Sequence, residues 1–169
     1  SIPREDASAD AILLFGPLYH IVEREERARC LAECRRLLKP GGKLFTANIT
    51  CFSTALKYTE CYDRRPVLDD EDAYRAIEST VRTGHYTGNE IGRVYFHRPE
   101  ELRAEVAAAG FNDVDLRGVI GPAWIIRGLD ESWHDPGKRE AILRIVRLLE
   151  REESLMGFST HFLSISTRP

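Results

Sequence analysis

The sequence predicts an α/β domain, and three features carry that reading. Ala11-Ile12-Leu13-Leu14-Phe15 is a continuous apolar run bounded by turn residues, helical periodicity follows from Glu23 to Leu38, and apolar residues resume from Lys43 to Ile49. An unbroken apolar run of this length is what a strand buried on both faces looks like. Between helix and second run stands Lys39-Pro40-Gly41-Gly42, where proline cannot continue the helical hydrogen-bond ladder and glycine accepts positive φ. The first fifty residues therefore read as strand, helix, strand, with a crossover expected to be parallel and right-handed.

From Thr50 to Gly92 the alternation breaks. Helical stretches are expected near Ser53 to Tyr62 and Asp69 to Thr83, the second opened by acidic residues that suit the positive end of a helix. This segment reads as a helical insertion lying as a lid over the sheet. Pro99 at a first helical position, Glu100 and Glu101 behind it, Leu102 and Val106 one turn apart, and Gly110 as terminator mark the next helix. A strand from Asp113 to Ile120 follows. Asp135-Pro136 opens a further helix with Ile142, Ile145, Val146 and Leu149 expected on one face, and Thr160 to Ser166 form the last strand.

At 169 residues, with 43% hydrophobic and 30% charged side chains, the chain suits a single domain that can bury a core without metal or disulfides. A net charge of −3, from 24 basic and 27 acidic residues, leaves no electrostatic footprint for nucleic acid. The basic cluster Arg35, Arg36 and Lys39 falls where cations complement a helix end. No apolar run approaches the roughly 20 residues of a membrane span, and no signal-like segment is present, so a cytosolic (cytoplasmic) protein is expected. Cys30, Cys34, Cys51 and Cys61 are too scattered for a disulfide framework. Cys30 and Cys34, one turn apart on the stripe of Leu31, Leu37 and Leu38, read as small core residues, and no metal site is expected.

Three blocks carry a family resemblance. Asp10-Ala-Ile-Leu-Leu-Phe15-Gly16-Pro17-Leu18-Tyr19-His20, a helix, then Leu37-Leu-Lys-Pro-Gly-Gly-Lys-Leu44 resembles the stretch from the fourth to the fifth strand of class I S-adenosylmethionine-dependent methyltransferases. Tyr95-Phe-His-Arg-Pro-Glu-Glu-Leu102 leading to Ala109-Gly-Phe111 resembles the helix before the sixth strand of that family, and Gly157 to Leu163 its closing antiparallel strand. The resemblance implies a partial Rossmann-like methyltransferase fold: a mostly parallel sheet, an antiparallel C-terminal strand and the helical insertion at residues 50–92. Family members also carry a Gly-rich turn after the first strand and a ribose-binding acid after the second. Neither is found here. Gly84, Gly88 and Gly92 follow no apolar strand and read as a loop. The chain also begins at Ser1 without an initiator methionine, and three missing strand-helix units would come to roughly 90 residues. The expectation is an N-terminally truncated domain, the C-terminal half of an enzyme, inactive alone.

In open α/β sheets ligands bind beyond the carboxyl ends of strands, and Phe15 to His20 lie at such an end. The resemblance makes S-adenosylmethionine the cofactor, with Phe15, Gly16, Pro17 and Leu18 bordering it, and Tyr19 and His20 facing a small-molecule acceptor. His20 is the candidate general base, needed only when the acceptor carries a proton; its other reading is a helix-start residue whose ring caps backbone groups. Asn48, His85, Tyr95, His97 and Trp124 complete the candidate acceptor contacts, although aromatic residues such as Tyr95 at a strand end are more often core. Asp10 serves the start of its strand. The alternative to an enzyme is a noncatalytic binding or dimerisation module on the same fold. An oxidoreductase is disfavoured by the lack of a dinucleotide fingerprint. Either way the strand Ile12 to Phe15 is left with a bare side, and an apolar open edge invites self-association.

Overall fold

The computed structural model describes residues 2–60, 70–86 and 92–169. In chain order its elements are β1 (Ala9–Phe15), α1 (Pro17–His20), α2 (Arg24–Leu37), β2 (Leu38–Ile49), α3 (Ser53–Glu60), α4 (Glu71–Thr83), β3 (His85–Tyr86), β4 (Val94–Tyr95), α5 (Pro99–Ala108), β5 (Asn112–Gly118), a 3-10 turn (Gly121–Ile125), α6 (Leu129–His134), α7 (Pro136–Leu149), α8 (Glu153–Met156) and β6 (His161–Thr167). The main sheet runs β1-β2-β6-β5. β1 and β2 are parallel, while β6 is antiparallel to both β2 and β5. Three strands therefore point one way and the C-terminal strand runs against them, as the sequence predicts for this α/β fold. β3 and β4 form a separate two-stranded hairpin.

Strand register sorts the side chains onto two faces of different character. Leu44, Thr46 and Asn48 of β2 share a face with Phe162, Ser164 and Ser166 of β6, and all are buried. Against that face α2 packs Leu31 and Cys34, and α5 packs Leu102 and Val106; Leu18, Phe111, Leu116 and Met156 complete the core. Thr46 and Ser164 hydroxyls bond to each other at 2.7 Å inside this layer, which satisfies two polar groups that burial would otherwise penalise. On the opposite face Leu13 is 66% and Phe15 54% exposed, so β1 is covered on one face and not on both as its unbroken apolar run predicts. Phe45, Ala47, Leu163 and Ile165 beside them are only half-buried.

The Lys39–Gly42 corner has an instructive geometry. Ala9 is opposite Leu38 but Ala11 is opposite Lys43, so the four intervening residues of β2 bulge out of the ladder. The bulge is fastened to the chain end by Gly41 N–H to Arg168 O (2.8 Å) and Arg168 N–H to Gly42 O (2.9 Å). A Cβ on Gly42 would lie 2.8 Å from Lys39 O and 3.1 Å from Asp10 O, both backbone atoms. Gly42→Ala is therefore expected to destabilise the chain by about 1–3 kcal/mol, read as a lowered urea midpoint at unchanged slope.

Several element expectations shift. Ile145, expected on the inner face of α7, is 53% exposed; Ile142 is the buried residue, and Leu143, Val146 and Leu149 flank it half-buried. The α4 helix begins one residue after Asp70, whose carboxylate accepts hydrogen bonds from Asp72 N–H and Ala73 N–H. Tyr62, Asp69, Cys61 and Gly88 lie outside the described residues, as do residues 61–69 and 87–91 of the segment expected to be an insertion. Cys34 is a core residue and Cys30 packs against it. Arg36 pairs with Glu33, Lys39 with Asp10, and Arg35 donates to Gly110 O, so the basic cluster is held locally. No helix of the described residues is long and apolar enough to cross a membrane, and none of their His, Cys, Asp or Glu side chains gather as a metal site.

Candidate functional site at the strand tips

The carboxyl end of β1 turns sharply at Gly16, whose φ of 119° and ψ of −49° lie in a region that side-chain-bearing residues rarely adopt. Pro17 then occupies the first position of the single-turn helix α1, where its missing N–H leaves no gap. Leu18 anchors this rim, its side chain fully buried in the main core. Tyr19 packs against a second cluster of Cys51, Val94 and Phe96, joined by Ile49, Phe52 and Tyr86. The Tyr19 and His20 rings lie 4.6 Å apart. His20 is exposed and lines an open cleft of about 440 Å³ with Ile21, Val22, Glu23, Glu26 and Arg93. Arg93 and Glu23 approach to 3.8 Å across it, a solvent-exposed pair of little energetic weight.

Behind the rim lies a buried polar network. The Arg27 side chain, 1% exposed, donates through Nε and Nη2 to both Glu105 oxygens at 2.9 and 2.6 Å. Its Nη1 donates to the carbonyls of Val22 (2.7 Å) and Ile21 (3.2 Å), and the guanidinium lies 3.9 Å over the Tyr95 ring. His97 is fully buried; its Nε2 donates to Glu105 Oε2 at 3.3 Å, since an ionised carboxylate only accepts. Burial raises the Glu105 carboxyl, but hydrogen bonds from His97 and Arg27 outweigh it and bring the pKa down to about 2. Burial, then the hydrogen bond to Glu101, pushes the Tyr95 phenol well up, and the hydroxyl stays a donor to Glu101.

The remaining sequence-predicted site residues fall into three places. Tyr95 and His97 belong to the buried network, with His85, itself exposed, edge-on to Tyr95 at 5.2 Å. Asn48 is buried at the tip of β2, donating from Nδ2 to Thr46 Oγ1 at 2.7 Å, and its Oδ1 has no partner among the described residues. Trp124 lies beyond the carboxyl end of β5, its ring tilted over Phe158 at 5.0 Å and its indole N–H donating to Phe158 O at 3.1 Å. Because β1, β2 and β5 point the same way, Phe15, Asn48 and the turn carrying Trp124 all lie at one end of the sheet. Arg27 and Glu105, which lie buried behind that end, carry no motif in the sequence. Their only sequence signal is a charged residue on the apolar stripe of each helix.

Residues 1–46, which hold β1, the rim, α2 and the start of β2, match the family model described as a methyltransferase domain. Among solved structures, the whole chain superposes on a SAM-dependent methyltransferase from Thermotoga maritima with a TM-score of 0.53 at 15% identity. A second one, from Methanosarcina mazei, gives 0.57 at 14% identity over 99% of the chain. The chain has the class I methyltransferase fold. It spans 60% and 63% of the length of those two methyltransferases. No curated protein matches it by sequence. Within the methyltransferase fold, the Gly16–His20 rim occupies the carboxyl end of a parallel strand, the side on which open α/β sheets bind ligands.

Proposed function

We propose that this chain supplies the acceptor-facing half of a S-adenosylmethionine-dependent methyltransferase site that acts on a small molecule. The observation that carries the reading is Gly16: a left-handed, side-chain-free corner at the tip of β1, pinned by buried Leu18 and opening beside the His20 cleft. These residues fit the methionine end of the cofactor, because Gly16 and Pro17 leave backbone open to close approach and Phe15 offers an exposed apolar wall. When bound, the cofactor supplies an electrophilic sulfonium methyl. Phe15 to Leu18 border it, while Tyr19 and His20 face the acceptor. Most of the acceleration in such a displacement comes from alignment, and His20 accepts the acceptor proton where there is one. The insertion at residues 50–92, with exposed His85 and the Trp124 turn near the same end, governs acceptor choice; Asn48, Tyr95 and His97, expected from the sequence as acceptor contacts, are buried and support that end from behind instead.

The test is calorimetric titration with S-adenosylhomocysteine. The chain alone is expected to bind weakly or not at all, and the chain joined to a preceding Gly-rich strand-turn-helix segment is expected to bind. His20→Ala in the joined protein should lower turnover more than cofactor affinity. Absence of binding in the joined protein overturns the proposal.

A second reading, a noncatalytic association module, is favoured by one observation: among the described residues β1 has a partner on one side only, and Leu13 and Phe15 stand exposed beside that edge. Self-association of the isolated chain is expected on this account. Sedimentation at rising concentration should show growth in mass, and a monomer throughout would contradict it.

A further inference from the structure

We infer that Arg27 is a positioning residue for the rim, holding the segment between His20 and α2 through the carbonyls of Ile21 and Val22. A guanidinium carries five N–H donors in a planar fork, and here one edge is spent on both oxygens of Glu105 while the remaining nitrogen grips two consecutive carbonyls. Those carbonyls belong to the residues that line the cleft beside His20. The other end of the same network reaches the neighbouring strand tip. His97, hydrogen-bonded to Glu105, donates its backbone N–H to Ile49 O and accepts from Cys51 N–H, both at 3.1 Å. One buried cluster therefore ties the segment that follows the rim to the β2 tip from behind, and Arg27 is the member that bonds to that segment. A buried charge pair is weak evidence for net stability, but its fixed fork geometry sets where its partners sit. That the rim so held borders a cofactor rests on the function proposed above; the grip itself does not.

The test separates grip from general stability by using no ligand. Arg27→Lys keeps the charge but has too few donors to hold Glu105 and both carbonyls together. Glu105→Gln keeps an acceptor for Arg27 and leaves the carbonyl grip in place. Amide hydrogen exchange is read at Ile21, whose N–H bonds to Pro17 O at 3.1 Å, relative to the amides of β2 in the same variant. Arg27→Lys is expected to speed Ile21 exchange about tenfold beyond any change in β2, and Glu105→Gln to leave that ratio near the wild-type value. Leu116→Ala, a core change remote in sequence from the rim, should also leave the ratio unchanged. If the Ile21 ratio is unaltered in Arg27→Lys, or rises equally in all three variants, Arg27 is only a stabilising residue and the inference fails. Failure of S-adenosylhomocysteine to bind the joined protein would end the cofactor reading while leaving this exchange result standing.

Discussion

Replacing Glu105 with Ala is expected to destabilise the chain by about 3–5 kcal/mol, because Arg27 would remain buried without its counter-charge. The same carboxylate gives the fold an acid limit. Its pKa is held at about 2, below the ordinary value of 4.5, so its ionised form contributes stability that is complete above pH 4.5. That contribution is lost as pH falls from about 4.5 through 2, where the folded protein must take up the proton it resists. Glu33, held at about 2 chiefly by its hydrogen bond from Arg36, titrates in the same window. Thermal melts across that range should show the midpoint falling for the wild type and a visibly flatter acid limb for Glu105→Gln. An unchanged limb would show that Glu105 is not the group that sets it.

Gly16→Val is expected to do most damage to ligand binding. A β-branched side chain at φ of 119° is strained whatever space surrounds it, at a cost of about 1–3 kcal/mol. The nearest atom to a Cβ there is the Tyr19 hydroxyl at 3.5 Å, so crowding adds little and the strain is a backbone effect. The chain relieves it by turning the corner differently, which moves Pro17, Tyr19 and His20 together. In the protein joined to a nucleoside-binding segment, affinity for S-adenosylhomocysteine should fall by about tenfold to a hundredfold, since binding must restore the strained corner at about 1–3 kcal/mol and each ~1.4 kcal/mol is tenfold. Affinity within twofold of wild type would remove Gly16 from the site.

What the sequence made legible follows from local rules. The β1, α2, β2 unit was readable because an apolar run, a 3.6-residue period and a Pro-Gly-Gly stop each act over a few neighbouring residues. Asp135 before Pro136 announced α7 for the same reason, and it caps that helix by accepting from Gly137 and Lys138 N–H. Lys39–Gly42 reads from sequence only as a helix stop, since nothing local shows that it bulges from β2 and that Arg168 at the far end of the chain fastens it to the sheet. The β3–β4 hairpin, two residues on each side, is too short to produce a period. Ile145 illustrates a limit of periodicity: it fits the apolar stripe of α7, but the neighbouring surface reaches only as far as Ile142 and its half-buried flank. At the site, the rim was legible as a contiguous motif, whereas the Arg27–Glu105 pair joins residues 78 positions apart and leaves no contiguous signature.

The central claim is that the Gly16 corner borders the cofactor, and backbone amide shifts on adding S-adenosylhomocysteine to the joined protein test it most directly. The account predicts that Phe15, Gly16 and Leu18 move most among the residues of this chain, with His20 following. Saturable binding that leaves those amides still and moves others, such as those around Trp124, would contradict it.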